Sequence, residues 1–140
     1  MSSYIEAGVR DTGEILEQAA RTLDFGQPVA VMMLGILGQI PDSADPGAIV
    51  TRLLGPLPAG SYLALSDGTD TSPVLNQAIE ACNQSSASSY YLRSPEQIAA
   101  FFDGLALVPP GVVTTSRWRP DLVDARARLV NTICGVGRKR

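Results

Sequence analysis

The side chains suited to chemistry are few, and the commonest are missing. The 140 residues contain no His, which removes the usual general base and the usual metal ligand. Cys82 and Cys134 lie far apart and form no CxxC pair. They cannot build a zinc site alone, and they read as free, buried thiols of a reducing compartment. Asp67 and Asp70 place two carboxylates in one loop. Without a third ligand such a pair reads as helix caps and solvated charge rather than as a metal site. Trp118 between Arg117 and Arg119 has the makings of a recognition surface, and its plainer reading is core or a partly buried lid. Gly135-Val136-Gly137 is a GxG in form, but no helix follows it, so it reads as a structural turn or strand. There is no GxGxxG after a strand, no Walker loop, no GxSxG and no HExxH.

These residues must be positioned by an alternation of short strands and helices. Tyr4 to Val9 has the look of a short strand. Ile15, Leu16, Ala19, Ala20 and Leu23 then recur on one helical face, with Asp11 or Thr12 placed to cap it. Val29 to Leu34 is wholly apolar, the mark of a strand covered on both faces in a parallel sheet. Asp45-Pro46 opens the next helix with a cap followed by Pro at the first helical position, and Gly55-Pro56 ends it. Ser61 to Ser66 is a strand, Ser72-Pro73 opens a helix through about Cys82, and Asn83 to Ser89 is a polar loop. Ser94-Pro95-Glu96-Gln97 is a capping box. Leu105 to Val108, Val112 to Thr115 and Asn131 to Val136 are strands with no room for helical crossovers, so the tail should be antiparallel. The order implies one α/β domain with a mostly parallel sheet. Ligands in such sheets bind at the C-terminal ends of strands, here Gly35 to Gln39 and Ser66 to Asp70, which also read as ordinary tight turns.

Composition narrows the function class. The net charge is −3 with 18% charged residues, so bulk charge recruits no nucleic acid. The tail Arg138, Lys139, Arg140 reads as a solvated terminus. No apolar run approaches the ~20 residues that a membrane span needs, and the first residues do not form a signal peptide. A cytoplasmic protein without membrane or nucleic-acid partners is expected.

Taken in order, several segments resemble a family of actinobacterial S-adenosylmethionine-dependent methyltransferases of class I. They are Tyr4 to Asp11, Pro28 to Leu34, Ile40-Pro41-Asp42, Asp45-Pro46, Gly60 to Ser66, Arg93-Ser94, Phe101 to Leu105, Pro110 to Val113, Trp118-Arg119-Pro120 and Gly135 to Lys139. The resemblance implies a Rossmann-like sheet with spatial order 3-2-1-4-5-7-6 and strand 7 antiparallel. It places residues 1–140 from strand 3 to strand 7, a partial sheet lacking the first two strands. With those strands go the glycine-rich turn that holds the methionine part of the cofactor and the acid that holds its ribose. The family pattern also has an acid where this chain has Gly8, and a His where it has Gly38.

By the same resemblance, Gly8, Val9, Gly35 and Ile36 fall on the S-adenosylmethionine side of the pocket. Tyr91, Arg93, Trp118 and Arg119 fall on the side of a small-molecule methyl acceptor of unknown identity. No residue stands out as catalytic and no metal is implied. Two functions follow: a methyltransferase portion inactive alone, or a non-enzymatic module that pairs through an exposed sheet edge. In either case the expected partner is another copy or a complementary N-terminal half, because strand 4 (Val29 to Leu34) would lose its neighbour. Strand 4 is expected to pair with another chain or with a repositioned strand 3.

Overall fold

The computed structural model describes residues 2–85, 88–121 and 130–140. Its elements are α1 (Thr12–Ala19), β1 (Ala30–Leu34), α2 (Pro46–Leu54), β2 (Tyr62–Gly68), α3 (Pro73–Ser85), α4 (Pro95–Ala99), β3 (Ala106–Leu107), β4 (Val113–Thr114) and β5 (Thr132–Arg138). The sheet order is β1-β2-β5-β3, with β4 also on β5. β1 and β2 are parallel. β5 runs antiparallel to β2, β3 and β4. The sheet is therefore mixed, and its order matches the 4-5-7-6 end of the arrangement that the family resemblance implies.

Local sequence explains most boundaries. The Asp45 carboxylate accepts from the Ala48 amide and starts α2. Ser94 and Gln97 close a reciprocal capping box at α4. Phe102 ends the 3₁₀ turn after α4 and reaches under β5. There the absence of side chains at Gly135 and Gly137 makes room: a Cβ at Gly137 would stand 2.9 Å from Leu105 and 3.1 Å from Phe102. Those two glycines are thus close-packing positions within a strand.

The strand pleat gives the sheet one dry face. Met33, Leu63 and Leu65 point into a core with Leu37, Ile49, Leu53, Ile98 and Phe102. Ala30, Met32, Leu34 and Tyr62 point the other way. Met32 and Leu34 are 66% and 56% exposed.

Four expectations need correction. Tyr4 to Val9 forms no strand and joins no ladder. Its odd-numbered side chains Ile5, Ala7 and Val9 instead line a groove beside β1. Helix α1 stops at Ala19, short of Leu23, which is 45% exposed. Cys82 is exposed rather than buried, and Cys134 is half-buried. Lys139 is not a solvated tail residue. Its ammonium donates to the carbonyls of Leu54, Gly55 and Leu57 at 2.8, 3.0 and 2.6 Å. It thereby adds a cation to carbonyls at and just after the end of α2, where the helix dipole also favours one. Lys139→Met should keep the stem and lose these charge-assisted bonds. A loss of about 2 kcal/mol in urea unfolding is expected.

Candidate functional site

Two concavities flank the parallel strands. The first is a groove of about 390 Å³ along β1, walled by residues from the N-terminal segment, α1, β1 and α2. Val9 and Ile36, two of the residues expected on the cofactor side, line it together. Gly8 and Gly35 adjoin them in the chain. Gly35 takes φ +71, a backbone conformation open to glycine, and nothing crowds it within 4 Å. No lining side chain of this groove is polar. It suits the flat, apolar part of a ligand, and no side chain there can pair with a charged amino acid moiety or a ribose diol.

The second concavity, about 460 Å³, lies beyond the C-terminal ends of β1 and β2 and is polar. Tyr91 and Arg93, expected on the acceptor side, line it with Asp42, Asp70, Asn76 and Tyr90. The structure thus brings Tyr91 and Arg93 together. Residues 90–93 are stitched between the two strand-end loops: the Tyr91 amide donates to Gly38 O, the Arg93 amide to Gly68 O and the Asp70 amide to Arg93 O. The Arg93 side chain is 4% exposed. Its guanidinium donates to Leu37 O at 2.7 Å, Ile40 O at 2.5 Å and Asp42 Oδ1 at 3.1 Å. Those bonds make it a clamp on the loop after β1.

Trp118 and Arg119 lie elsewhere. Neither lines these two cavities. They follow the 3₁₀ turn Thr115–Arg117 after β4, and Thr114, Ile133 and Asp67 stand in one register across β4, β5 and β2. The chain there leaves the same C-terminal end of the sheet. Arg119 stacks on the Trp118 ring at 5.0 Å and donates twice to Pro109 O. It holds φ +46, a conformation uncommon outside glycine.

The buried acid is the residue that pattern reading misjudged. Asp67 is a core group, 2% exposed, because it follows Leu63 and Leu65 on the inward face of β2. Its Oδ1 accepts from the Gly38 amide and the Tyr90 hydroxyl, both at 2.9 Å. Its Oδ2 is buried and closes no hydrogen bond among the described residues. Burial raises the Asp67 pKa above the ordinary 3.8, while Tyr90, Gly38 and Arg93 pull it back. Burial and then the Asp67 charge raise the Tyr90 hydroxyl. Asn83 fixes Tyr90 in turn, accepting from its amide and donating to its carbonyl. Tyr90 and Asn83 were not foreseen. The available signal was the pair of glycines at the strand ends. A Cβ at Gly38 would lie 2.3 Å from the Tyr90 ring, and one at Gly68 3.5 Å from it. The space that a larger residue at position 38 would need is filled by Tyr90.

Among the described residues no group of three or more His, Cys, Asp or Glu is placed to hold a metal. Burial also raises the Cys134 thiol, which keeps it protonated and poorly nucleophilic. No described helix is long and apolar enough to cross a membrane.

Comparison with known proteins settles the family. Residues 1–140 match the family described as S-adenosyl methyltransferase. This chain belongs to that family. Among solved structures it is similar to a DUF574 family protein from Streptomyces avermitilis MA-4680, at 34% identity and TM-score 0.89 over 98% of this chain and 55% of that one. It is also similar to a proposed methyltransferase from Thermobifida fusca YX, at 31% identity and TM-score 0.85 over 96% of this chain and 52% of that one. An O-methyltransferase family protein from Burkholderia thailandensis shares the fold at 15% identity and TM-score 0.60, over 98% of this chain and 35% of that one. The chain spans about half the length of the first two structures. No curated protein matches.

Two outcomes test the site. Asp67 has a folded-state pKa above its unfolded one, so its proton favours the native state. That contribution is complete below about pH 3.8 and fades as pH rises through the folded value. Asp67→Asn, which keeps an acceptor for Gly38 and places a donor at the unpaired oxygen, should therefore gain stability relative to the parent as pH rises from 3.5 to 7 in urea titrations. Separately, Gly38→Ala should cost about 1–3 kcal/mol by overpacking. Most of that loss should disappear when Tyr90→Ala is added, a coupling that a double-mutant cycle measures.

Proposed function

We propose that these 140 residues supply the apolar cofactor wall and part of the acceptor side of an S-adenosylmethionine-dependent methyltransferase, and that they are inactive on their own. One observation carries the reading. In a chain that matches the family throughout, the groove shared by Val9 and Ile36 has no polar lining side chain. An adenine ring fits such a groove. The methionine carboxylate and ammonium and the ribose hydroxyls do not, since desolvating them there would leave them without side-chain partners. The residues present therefore hold only part of the cofactor, and Gly8 and Gly35 would leave room for its edge rather than grip it.

The cofactor supplies an electrophilic methyl group, whose transfer depends mainly on placement and desolvation. A chain without His remains compatible with that chemistry. Tyr91 and Arg93 would border a small-molecule acceptor in the polar concavity, whereas Trp118 and Arg119 lie outside that concavity, and their acceptor-side role rests on the family resemblance alone. An actinobacterial source and a cytoplasmic location accompany this reading, as the C-terminal portion of the family's domain. A second reading, a non-enzymatic module that associates through its sheet edge, is favoured by the exposure of Met32 and Leu34 beside that edge.

Titration calorimetry separates the possibilities. The isolated chain should bind S-adenosylmethionine more weakly than about 100 μM, roughly −5.5 kcal/mol. Tighter binding would overturn the claim that the chain alone is inactive and incomplete.

A further inference from the structure

We propose that the polar concavity beyond β1 and β2 takes a cationic ligand, an amine carried on an aromatic or aliphatic body, and that the methyl acceptor belongs to this class. The sign of the charge follows from which polar groups are already engaged. Arg93 is the one cation among the lining residues. Its guanidinium donates to Leu37 O, Ile40 O and Asp42 Oδ1, and its side chain is 4% exposed. It holds the loop after β1 and has little left to offer an anion. Three carboxylates, those of Asp42, Asp70 and Glu80, line the same space. Asp42 is paired with Arg93, and neither Asp70 nor Glu80 closes a salt bridge among the described residues.

Carboxylates at a surface do not by themselves make a site, since exposed charges contribute little. Two buried groups add to them. Asn76 lines the concavity, and its Nδ2 donates to Asp70 O. That bond fixes which end of the amide is which and leaves Oδ1 buried with no partner among the described residues. Tyr90 also lines the concavity, and its hydroxyl donates to Asp67 Oδ1. Asp67 is 2% exposed, and its Oδ2 is likewise unpaired. Both orphaned atoms at this end of the sheet are therefore acceptors. Their negative potential is screened less than that of groups in water and adds to the carboxylates above them.

The neutral donors do not offset this. Both ends of the Asn83 amide are taken by the Tyr90 backbone. Gln84 and the Tyr91 hydroxyl can donate or accept, so they do not decide the sign. Ile79 and the Tyr91 ring supply an apolar side to the concavity, which suits the body of an amine, and an ammonium over the ring gains a cation–π contact.

Calling the ligand a methyl acceptor rests on the methyltransferase reading, whereas its charge is set by the concavity alone. The test uses this chain and three probes of one shape: cationic tyramine, neutral tyrosol and anionic para-hydroxyphenylacetate. Heteronuclear NMR titration reports both the site and the affinity. Tyramine should shift the amides of Asn76, Glu80 and Tyr91 and bind about tenfold more tightly than the anion at ~10 mM salt, a preference that should shrink at ~1 M salt. Asp70→Asn combined with Glu80→Gln should keep the unfolding midpoint, since both residues are exposed, and should remove most of the preference. Equal affinities, tighter binding of the anion, tyramine shifts confined to other surfaces, or a preference that survives the double substitution overturns the proposal. No S-adenosylmethionine is present in this titration. A failed amine preference thus leaves the methyltransferase reading to calorimetry with that cofactor, and a failed cofactor titration leaves the amine site standing.

Discussion

The fold and the site both depend on the pleat of β2. Both edges of this strand are paired, to β1 and to β5, so its register cannot slip without turning every side chain to the other face. That register sends Leu63, Leu65 and Asp67 inward in succession. The first two anchor the core. The third delivers a carboxylate to the rim of an apolar layer, where it requires partners. Gly38 from the loop after β1 and Tyr90 from the chain after α3 provide them, and Arg93 holds the carbonyls of the same loop. The two strand-end loops are thus fixed to each other by the consequence of burying one acid.

That acid explains where pattern reading stops. Apolar runs, capping residues and Pro positions made β1, α2, β2, α4 and the antiparallel tail legible, because each signal is local. Ser94 with Gln97 and Asp45 before Pro46 specify their helix starts within four residues. Asp67 is different. As a residue beside a Gly in a strand-end loop it has the look of solvated charge, and only the length of β2, which runs on through Gly68, shows that it is still in the pleat. Lys139 failed to announce itself for a similar reason. Its partners are the carbonyls that close α2, more than eighty residues away, and no local pattern marks such a contact.

The candidate site divides along the same line. Val9 and Ile36 come together because an apolar segment beside an apolar strand end has one dry place to go. Tyr91 and Arg93 come together because backbone bonds tie their segment between two loops. Trp118 and Arg119 were legible as a pair and form one, stacked on each other, but their stacking says nothing of the cavities. Tyr90 was not legible at all, since a Tyr after a polar loop carries no periodic signal. Its role emerges only from the absence of a side chain at Gly38.

The half-sheet has a consistent energetic logic. A strand as apolar as β1 is stable where both faces and both edges are covered, and here β2 and α2 cover one edge and one face. The uncovered remainder is not scattered. It falls on Ala30, Met32 and Leu34, in backbone and side chain alike, and it adjoins a groove of matching character. Exposed apolar residues distributed singly need no explanation, whereas these are contiguous on one face of one strand. Polar side chains are missing from the groove side, and its polar surface is backbone. The Asp67 and Arg93 network holds the other side of the parallel pair in place.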